Sequence, residues 1–473
     1  MVLALADNKK NQLIHQNQQD YSDIYSNLNF VQPRQVTEAE HRRRTLLTQL
    51  MDAGGFSSCH GTKPHTGSLS PGCRLCVEGS WSCLFVNGRC NLSCFYCPSS
   101  QDEIGQPTTN NLSFNSANHY LAYLKHFGFR GFSLSGGEPL LTLKRTLDYL
   151  ATIKKHFGAN IHSWIYTNGS LVTRDILARL RDCGLDEIRF DIGALDYSLD
   201  QAILAVGLIP TVTIEIPAVP AEQQRLKHTL KQMDDSGINF LNLHQLRLTN
   251  YNYRHFKKRS YSYVHGEKIT VLESELTALA LLKYARDEHL ALPINYCSFI
   301  YKNRYQKAAA RSRGALDMGK SYEQVTAAGY LRSCSIKAAP QILQPVIDQL
   351  TAQDPVLWER AQGGQQIYFA ASLWPHISAS NDHLCVQLDY AETRVGTALS
   401  YRHPFREIKM PGGNKVAIER AQVGNFTLSP TQTHNYFAAL TTITNGGNSC
   451  DTLTLPEEIR HFEQIEQGLA PYF

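Results

Sequence analysis

Short apolar runs alternate with longer amphipathic stretches through the middle of the chain. Cys83–Asn87, Gly131–Ser135, Ser163–Thr167, Glu187–Ile192, Thr211–Ile216, Phe240–Gln245 and Leu292–Tyr296 read as strands. Between them, Ser116–Phe127, Leu143–Phe157, Thr173–Cys183, Leu199–Val206, Ala221–Ser236 and Val271–His289 carry helical periodicity. Strands regularly followed by helices predict βα units on a parallel sheet. About six such units suit a full or partial barrel. The spacing alone does not separate that from an open doubly wound sheet.

The flanks follow a different pattern. Residues 1–55 are polar and rich in Asn and Gln, so the first twenty or so read as a disordered arm. A charged helix over Glu38–Met51 follows. Past residue 338, Gln366–Ala370, His383–Glu392, Lys415–Glu419 and Asn425–Leu428 read as alternating strands, and Thr431–Thr442 and Pro456–Gln467 as closing helices. The expected organisation is an N-terminal arm over 1–58, a cysteine-rich metal-binding segment over 59–82, an α/β barrel core over 83–337 and a small α+β domain over 338–473.

Composition adds one sharp feature to a bland background. The chain has 473 residues, 42% hydrophobic and 19% charged, enough for two to four domains at roughly 100–200 residues each. A net charge of +4 is too weak to argue for or against a polyanionic partner. No run approaches the roughly 18 apolar residues of a membrane span, and Met1–Asp7 is too short for a secretory leader. The expectation is a soluble cytoplasmic protein without membrane contact. Of 12 cysteines, however, seven (59, 73, 76, 83, 90, 94 and 97) lie within one stretch of 39 residues. In a long chain without a leader, such density reads as metal or iron–sulfur ligation rather than disulfides.

The most specific motif is Cys90-Asn91-Leu92-Ser93-Cys94-Phe95-Tyr96-Cys97, directly after a predicted strand. A four-iron cluster normally takes four thiolates. Three close ligands can therefore leave one iron open to a small molecule. The alternative is a structural zinc completed by Cys83 or His60, although zinc ribbons favour C-x2-C pairs. Ser135-Gly136-Gly137-Glu138-Pro139 ends the next predicted strand. Its glycines let backbone approach a ligand, and its glutamate can accept hydrogen bonds from an ammonium group.

In this order, on successive strand ends, the two motifs resemble the radical S-adenosylmethionine superfamily over roughly Cys83–Leu246. The resemblance implies a partial (βα)6-type barrel. It implies that Cys90, Cys94 and Cys97 form the catalytic centre by holding a [4Fe-4S] cluster, whose open iron chelates the amino and carboxylate groups of S-adenosylmethionine. Tyr96 matches the aromatic residue beside the adenine. Gly136, Gly137, Glu138 and Pro139 would line the methionine end, with Glu138 on the amino group. Asn168, Asp191 and Glu215 are looser candidates for contacting cofactor or substrate. The implied reaction is reductive cleavage of S-adenosylmethionine to a 5′-deoxyadenosyl radical, which takes hydrogen from a substrate. It calls for an electron donor of flavodoxin or ferredoxin type and a small-molecule, nucleotide or peptide substrate.

The upstream set Cys59-x13-Cys73-x2-Cys76-x6-Cys83 offers four thiolates of its own. It reads as a zinc or iron clip at the opposite end of the sheet from Cys90–Cys97, as an auxiliary iron–sulfur cluster, or as buried cysteines. His60 or His65 could replace one thiolate. This segment loosely resembles radical proteins related to pyruvate formate-lyase activating enzymes, so a glycyl-radical-enzyme activase is one alternative function. A non-catalytic metal-binding interaction protein is another, against which Gly136–Pro139 speaks. The 58 residues before Cys59 are too few for a cobalamin domain. Arg247, Arg254, Lys257, Lys258 and Arg259 interleave with Tyr251, Tyr253 and Phe256. Lys302, Arg304, Lys307, Arg311 and Arg313 follow, with Tyr301 and Tyr305. They suit a nucleotide, an RNA loop or a phosphorylated molecule, or a solvated surface. Cys297 could sit near this face, as a packed residue or as a metal or radical thiol.

Overall fold

The computed structural model describes residues 2–109, 112–381, 384–396, 401–411, 415–444 and 455–473. The chain forms two compact units, residues 1–306 with 467–473, and residues 307–466. None of the described helices is long and apolar enough to cross a membrane.

Seven parallel strands organise the first unit: β1 (Trp81–Asn87), β2 (Gly131–Gly136), β3 (His162–Thr167), β4 (Glu187–Phe190), β5 (Thr211–Pro217), β6 (Phe240–His244) and β7 (Ile294–Cys297). They pair in sequence order, each with the next. The run does not close on itself. A hairpin of Phe56–Ser58 and Lys63–His65 continues it past β7, and the short strands Thr108–Thr109 and Leu112–Ser113 continue it past β1. Helices Ala117–His126, Leu143–Phe157, Arg174–Asp182, Asp200–Ala205, Gln223–Asp235 and Leu272–Asp287 fill the six crossovers. This is a partial (βα)6-type barrel, one of the two architectures compatible with the spacing and the one that the resemblance implies.

Period-two alternation explains the strands. Leu84, Phe132, Leu134, Ile165, Ile188, Ile214, Leu241 and Leu243 are wholly buried. Ser133, Glu187, Arg189, Thr213, Glu215, Asn242 and His244, their neighbours in sequence, put polar and charged groups on the opposite face. The helices start where short polar side chains can cap them: Ser116 accepts from the His119 N–H at 3.3 Å and Thr173 from the Ile176 N–H at 3.2 Å. Each cap is worth about 1 kcal/mol.

The inner face of the sheet is charged. The Arg189 guanidinium reaches Glu187 and Glu215, each at 2.9 Å. Glu187 also accepts from His162 at 3.0 Å, the Thr213 hydroxyl at 2.9 Å and the Gly72 N–H at 3.0 Å. That last bond anchors helix Pro71–Val77 against the barrel interior, and Arg189 donates to Ser70, its N-cap, at 3.1 Å. Burial alone would raise the Glu187 carboxyl, but Arg189, His162 and Thr213 outweigh it and hold the carboxyl at about 2.

Several sequence expectations change. Val2–Asp20 is a helix, not a disordered arm. Its anchors are polar: Asn17, wholly buried, donates to the Gly266 carbonyl at 2.9 Å, and the following Tyr21 to that of Leu248 at 3.0 Å. An apolar stripe was the wrong signal to look for. The helix expected from Glu38 starts at Pro33. The second unit begins at residue 307 rather than 338. Leu331–Lys337, inside the expected 83–337 core but not expected as a strand, pairs with Gln366–Phe369 and Val386–Gly396 at the centre of a second sheet. The two short strands expected there at 415–419 and 425–428 are one, Lys415–Leu428. Residues 467–473 return to the first unit, where Tyr472 stacks on Arg43 at 4.2 Å. His383, which opened an expected strand, and Cys450 lie outside the described residues.

Glu187→Gln should therefore cost about 3 kcal/mol or more at neutral pH, by leaving a buried cation half-paired. A depressed carboxyl contributes stability above its ordinary value of 4.5 and loses it as pH falls to about 2. The gap in melting temperature between parent and variant should narrow across that window. A gap that stays constant from pH 5 to pH 2 would contradict this role.

Candidate active site

The loop after β1 carries Cys90, Cys94 and Cys97, and a backbone seam holds it in place. The Gly137 N–H donates to the Asn87 carbonyl at 2.9 Å and the Glu138 N–H to that of Arg89 at 2.7 Å. Asn87 answers with its side chain, donating to the Glu138 carbonyl at 3.0 Å and Thr142 at 2.9 Å. A Cβ on Gly136 would stand 1.9 Å from the Asn87 oxygen, and one on Gly137 2.0 Å from the Arg89 oxygen. Gly136 also sits at φ +125°, a conformation open to glycine. The glycines are therefore required by the cysteine loop itself, a closer constraint than approach to a ligand.

Glu138 departs from its expected position. It is wholly buried and turned away from the cavity. Its carboxylate accepts from the Asn168 N–H at 2.7 Å, the Leu140 N–H at 3.0 Å and the Thr167 hydroxyl at 2.9 Å. It is a positioning residue that splices the end of β2 to the end of β3. Asn168 in turn donates to Asn91 at 3.0 Å and to the Cys90 sulfur at 3.5 Å.

The other expected residues converge. Tyr96 donates to the Asp191 carboxylate, 2.8 Å from one oxygen and 3.0 Å from the other. Burial raises the Asp191 carboxyl to about 6 against that bond. Gly136, Gly137, Asn168, Asp191 and Glu215 line one cavity of about 520 Å³ with the three thiols. Pro139 is buried outside it. Glu215 accepts from Asn242 at 2.7 Å and also bonds His244. Burial would raise its carboxyl, but Arg189 and His244 hold it well below the usual range.

Sequence reasoning missed Arg189 and His244 as lining residues. The signal was there: Glu187, Arg189 and Asp191, like Asn242 and His244, are polar at every second position of a strand. Lys302, noted as one of a basic run, reaches His244 at 3.1 Å and lines the same cavity. The other basic run borders a second space of about 530 Å³ beside Cys90, Cys94 and Cys97, lined by Tyr251, Arg254, His255, Lys257 and Lys258. Arg259 lies 3.6 Å over the Phe95 ring, pinning the loop between Cys94 and Tyr96. Lys307, Arg311 and Arg313 belong to the second unit.

The upstream cysteines do not sit at the far end of the sheet. Tyr301, on whose ring the Lys63 ammonium stacks at 4.3 Å, donates to the Cys76 sulfur at 3.3 Å, and the Cys73 sulfur lies 3.9 Å from the amide of Asn295, two residues before Cys297 on β7. Cys83 lines the 520 Å³ cavity and stands opposite Ser133 in the pairing of β1 with β2. Burial raises the thiols of Cys76, Cys83 and Cys97 to about 11 and that of Cys94 to about 12. Among the described residues, no three His, Cys, Asp or Glu side chains converge on a single-ion position. Cys90, Cys94 and Cys97 thus frame an open cavity, the donor set and space that suit a multi-iron cluster rather than one ion.

A family model, the radical SAM superfamily, matches residues 84–205. A Methanocaldococcus jannaschii protein, provisionally named a glycyl-radical enzyme activating enzyme, is 30% identical over 276 residues, 56% of this chain and 72% of that protein. The chain belongs to the radical SAM superfamily. A GTP 3′,8-cyclase of Nitrobacter hamburgensis is 30% identical over 158 residues, 32% of this chain and 45% of the cyclase. The chain thus spans less than half of that relative. The solved structure of Streptococcus suis SuiB bound to precursor peptide SuiA is 11% identical at a TM-score of 0.31, covering 54% of this chain and 52% of that one, a likeness too slight to argue from.

Gly137→Ala should push the Arg89 carbonyl away, cost more than about 2 kcal/mol and lower the iron bound on anaerobic reconstitution. Full iron with parental stability would contradict the seam. Glu138→Gln turns an amide N–H toward donors that need an acceptor, at about 1–3 kcal/mol. Thermal unfolding should register that loss, and an unchanged melting temperature would contradict the positioning role of Glu138.

Proposed function

We propose that the chain cleaves S-adenosylmethionine reductively and uses the resulting radical to take hydrogen from a substrate in the 520 Å³ cavity. The observation that supports this most directly is the seam holding the three-thiol loop against Gly136 and Gly137 at the mouth of that cavity. Cys90, Cys94 and Cys97 would hold a [4Fe-4S] cluster which, with S-adenosylmethionine bound, supplies one-electron cleavage and a 5′-deoxyadenosyl radical.

The remaining residues have positioning and binding roles. Asn168, fixed through its N–H by Glu138, keeps Asn91 and the Cys90 sulfur in register. Asp191 fixes the Tyr96 ring. Arg189, His244, Lys302 and Arg247 border the inner end of the cavity. They suit a substrate bearing carboxylate or phosphate groups. The Methanocaldococcus jannaschii relative favours a second reading, in which the hydrogen comes from a glycine of a partner protein. The electron donor would be of flavodoxin or ferredoxin type, and the basic wall of Arg254, Lys257 and Lys258 beside the thiols suits an acidic one.

Cys94→Ala leaves two thiols where three are needed. The dithionite-reduced parent should release 5′-deoxyadenosine slowly even without substrate, and the variant should release none above background. Equal release from both would refute the assignment.

A further inference from the structure

Lys63 is 1% exposed. It lies on the hairpin strand Lys63–His65, which pairs antiparallel with β7 through His65 and Asn295. Two residues further along each strand, the same register sets Lys63 opposite Cys297. Its ammonium stacks on the Tyr301 ring at 4.3 Å. Among the described residues no carboxylate lies within ion-pair distance of it. A buried cation without a counter-charge is costly. The ionisable groups that act electrostatically on it are the thiols of Cys59, Cys73, Cys76 and Cys297; Tyr301, on which it stacks, donates to Cys76 at 3.3 Å, and Cys73 lies beside Asn295 on the same strand as Cys297.

Two of those sulfurs have hydroxyl or amide donors beside them, as metal-bound thiolates do, and the Cys73 thiol also stands 3.5 Å from the Asn242 amide oxygen. Cys76 accepts from the Tyr301 hydroxyl at 3.3 Å and the Gln306 amide at 3.0 Å. The Asn295 amide stands 3.9 Å from the Cys73 sulfur, and the Asn295 carbonyl oxygen is buried with no donor. Hydrogen bonds to sulfur tune and fix metal-bound thiolates.

We propose that Cys59, Cys73, Cys76 and Cys297 hold a second iron–sulfur cluster, with Lys63 as its buried counter-cation. Four thiolates outweigh the charge of a four-iron core, and the ammonium offsets the excess. A cluster is preferred over zinc because zinc needs sulfurs about 2.3 Å from one ion. No three ligands here converge so tightly, whereas a multi-iron core spreads them. The site joins the segment 59–76 to the last strand of the barrel. Cys83, four-thiolate partner in the sequence pattern, is not part of it. The proposal uses none of the residues of the radical site, so the two stand or fall separately.

The test removes the radical site first. Full-length protein carrying Cys90→Ala, Cys94→Ala and Cys97→Ala is reconstituted anaerobically with ferrous iron and sulfide. It should retain about four iron and four sulfide per chain. Adding Cys297→Ala should take both close to zero, and adding Cys83→Ala instead should leave them unchanged. An iron-free triple variant, about one zinc per chain in place of iron, or equal losses with Cys83→Ala and Cys297→Ala would overturn the proposal. Lys63→Met in the triple variant preserves every thiol and guards against a folding artefact. Iron content should hold while the cluster's midpoint potential moves to a more negative value. An unchanged midpoint would overturn the counter-cation role.

Discussion

The backbone of Gly136 and Gly137 lies against the backbone of Asn87–Cys90 more closely than any side chain would permit. The placement of the three-thiol site depends on that contact. It fixes the loop of Cys90, Cys94 and Cys97 to the end of a buried strand. Glu138 extends the fixation sideways, because the carboxylate beside the glycines is consumed by the N–H of Asn168 and the hydroxyl of Thr167. A motif that reads in sequence as a ligand-binding turn is thus first a device for holding three thiols still.

The second constraint is charge inside the barrel. Glu187, Arg189, Glu215 and His244 form a continuous chain along the inner face, and each ion has at least one opposite partner. That pairing is what makes a polar interior tolerable. It leaves room for a cavity with charged walls. Helix Pro71–Val77 rests on the same network through Gly72, so the cysteine-rich segment is part of the barrel interior rather than a separate appendage.

The strands and crossover helices were legible because most strands set an apolar face against the helices and a largely polar one toward the barrel interior, which sequence records at every second position. The cysteine and glycine motifs were legible because their residues are neighbours in the chain. What escaped was set by pairing between distant segments. Glu138 turns inward because the β2–β3 register delivers Thr167 and Asn168 to it. Cys297 rather than Cys83 joins Cys59, Cys73 and Cys76 because a hairpin pairs with β7 across more than two hundred residues. Leu331–Lys337 went unread as a strand because its side chains, Leu-Arg-Ser-Cys-Ser-Ile-Lys, carry little apolar alternation; only the pairing with two distant strands makes it one. Asn17 and Tyr21 anchor the N-terminal helix through hydrogen bonds that carry no periodic signature.

The claim that the three thiols hold a cluster with one iron open to S-adenosylmethionine is tested most directly by electron–nuclear double resonance on the reduced protein. S-adenosylmethionine labelled with 15N at its amino group serves as the probe. The account predicts a hyperfine coupling from the labelled nitrogen to the cluster spin, lost in Cys94→Ala. A reduced cluster that binds the labelled molecule without such a coupling would contradict it.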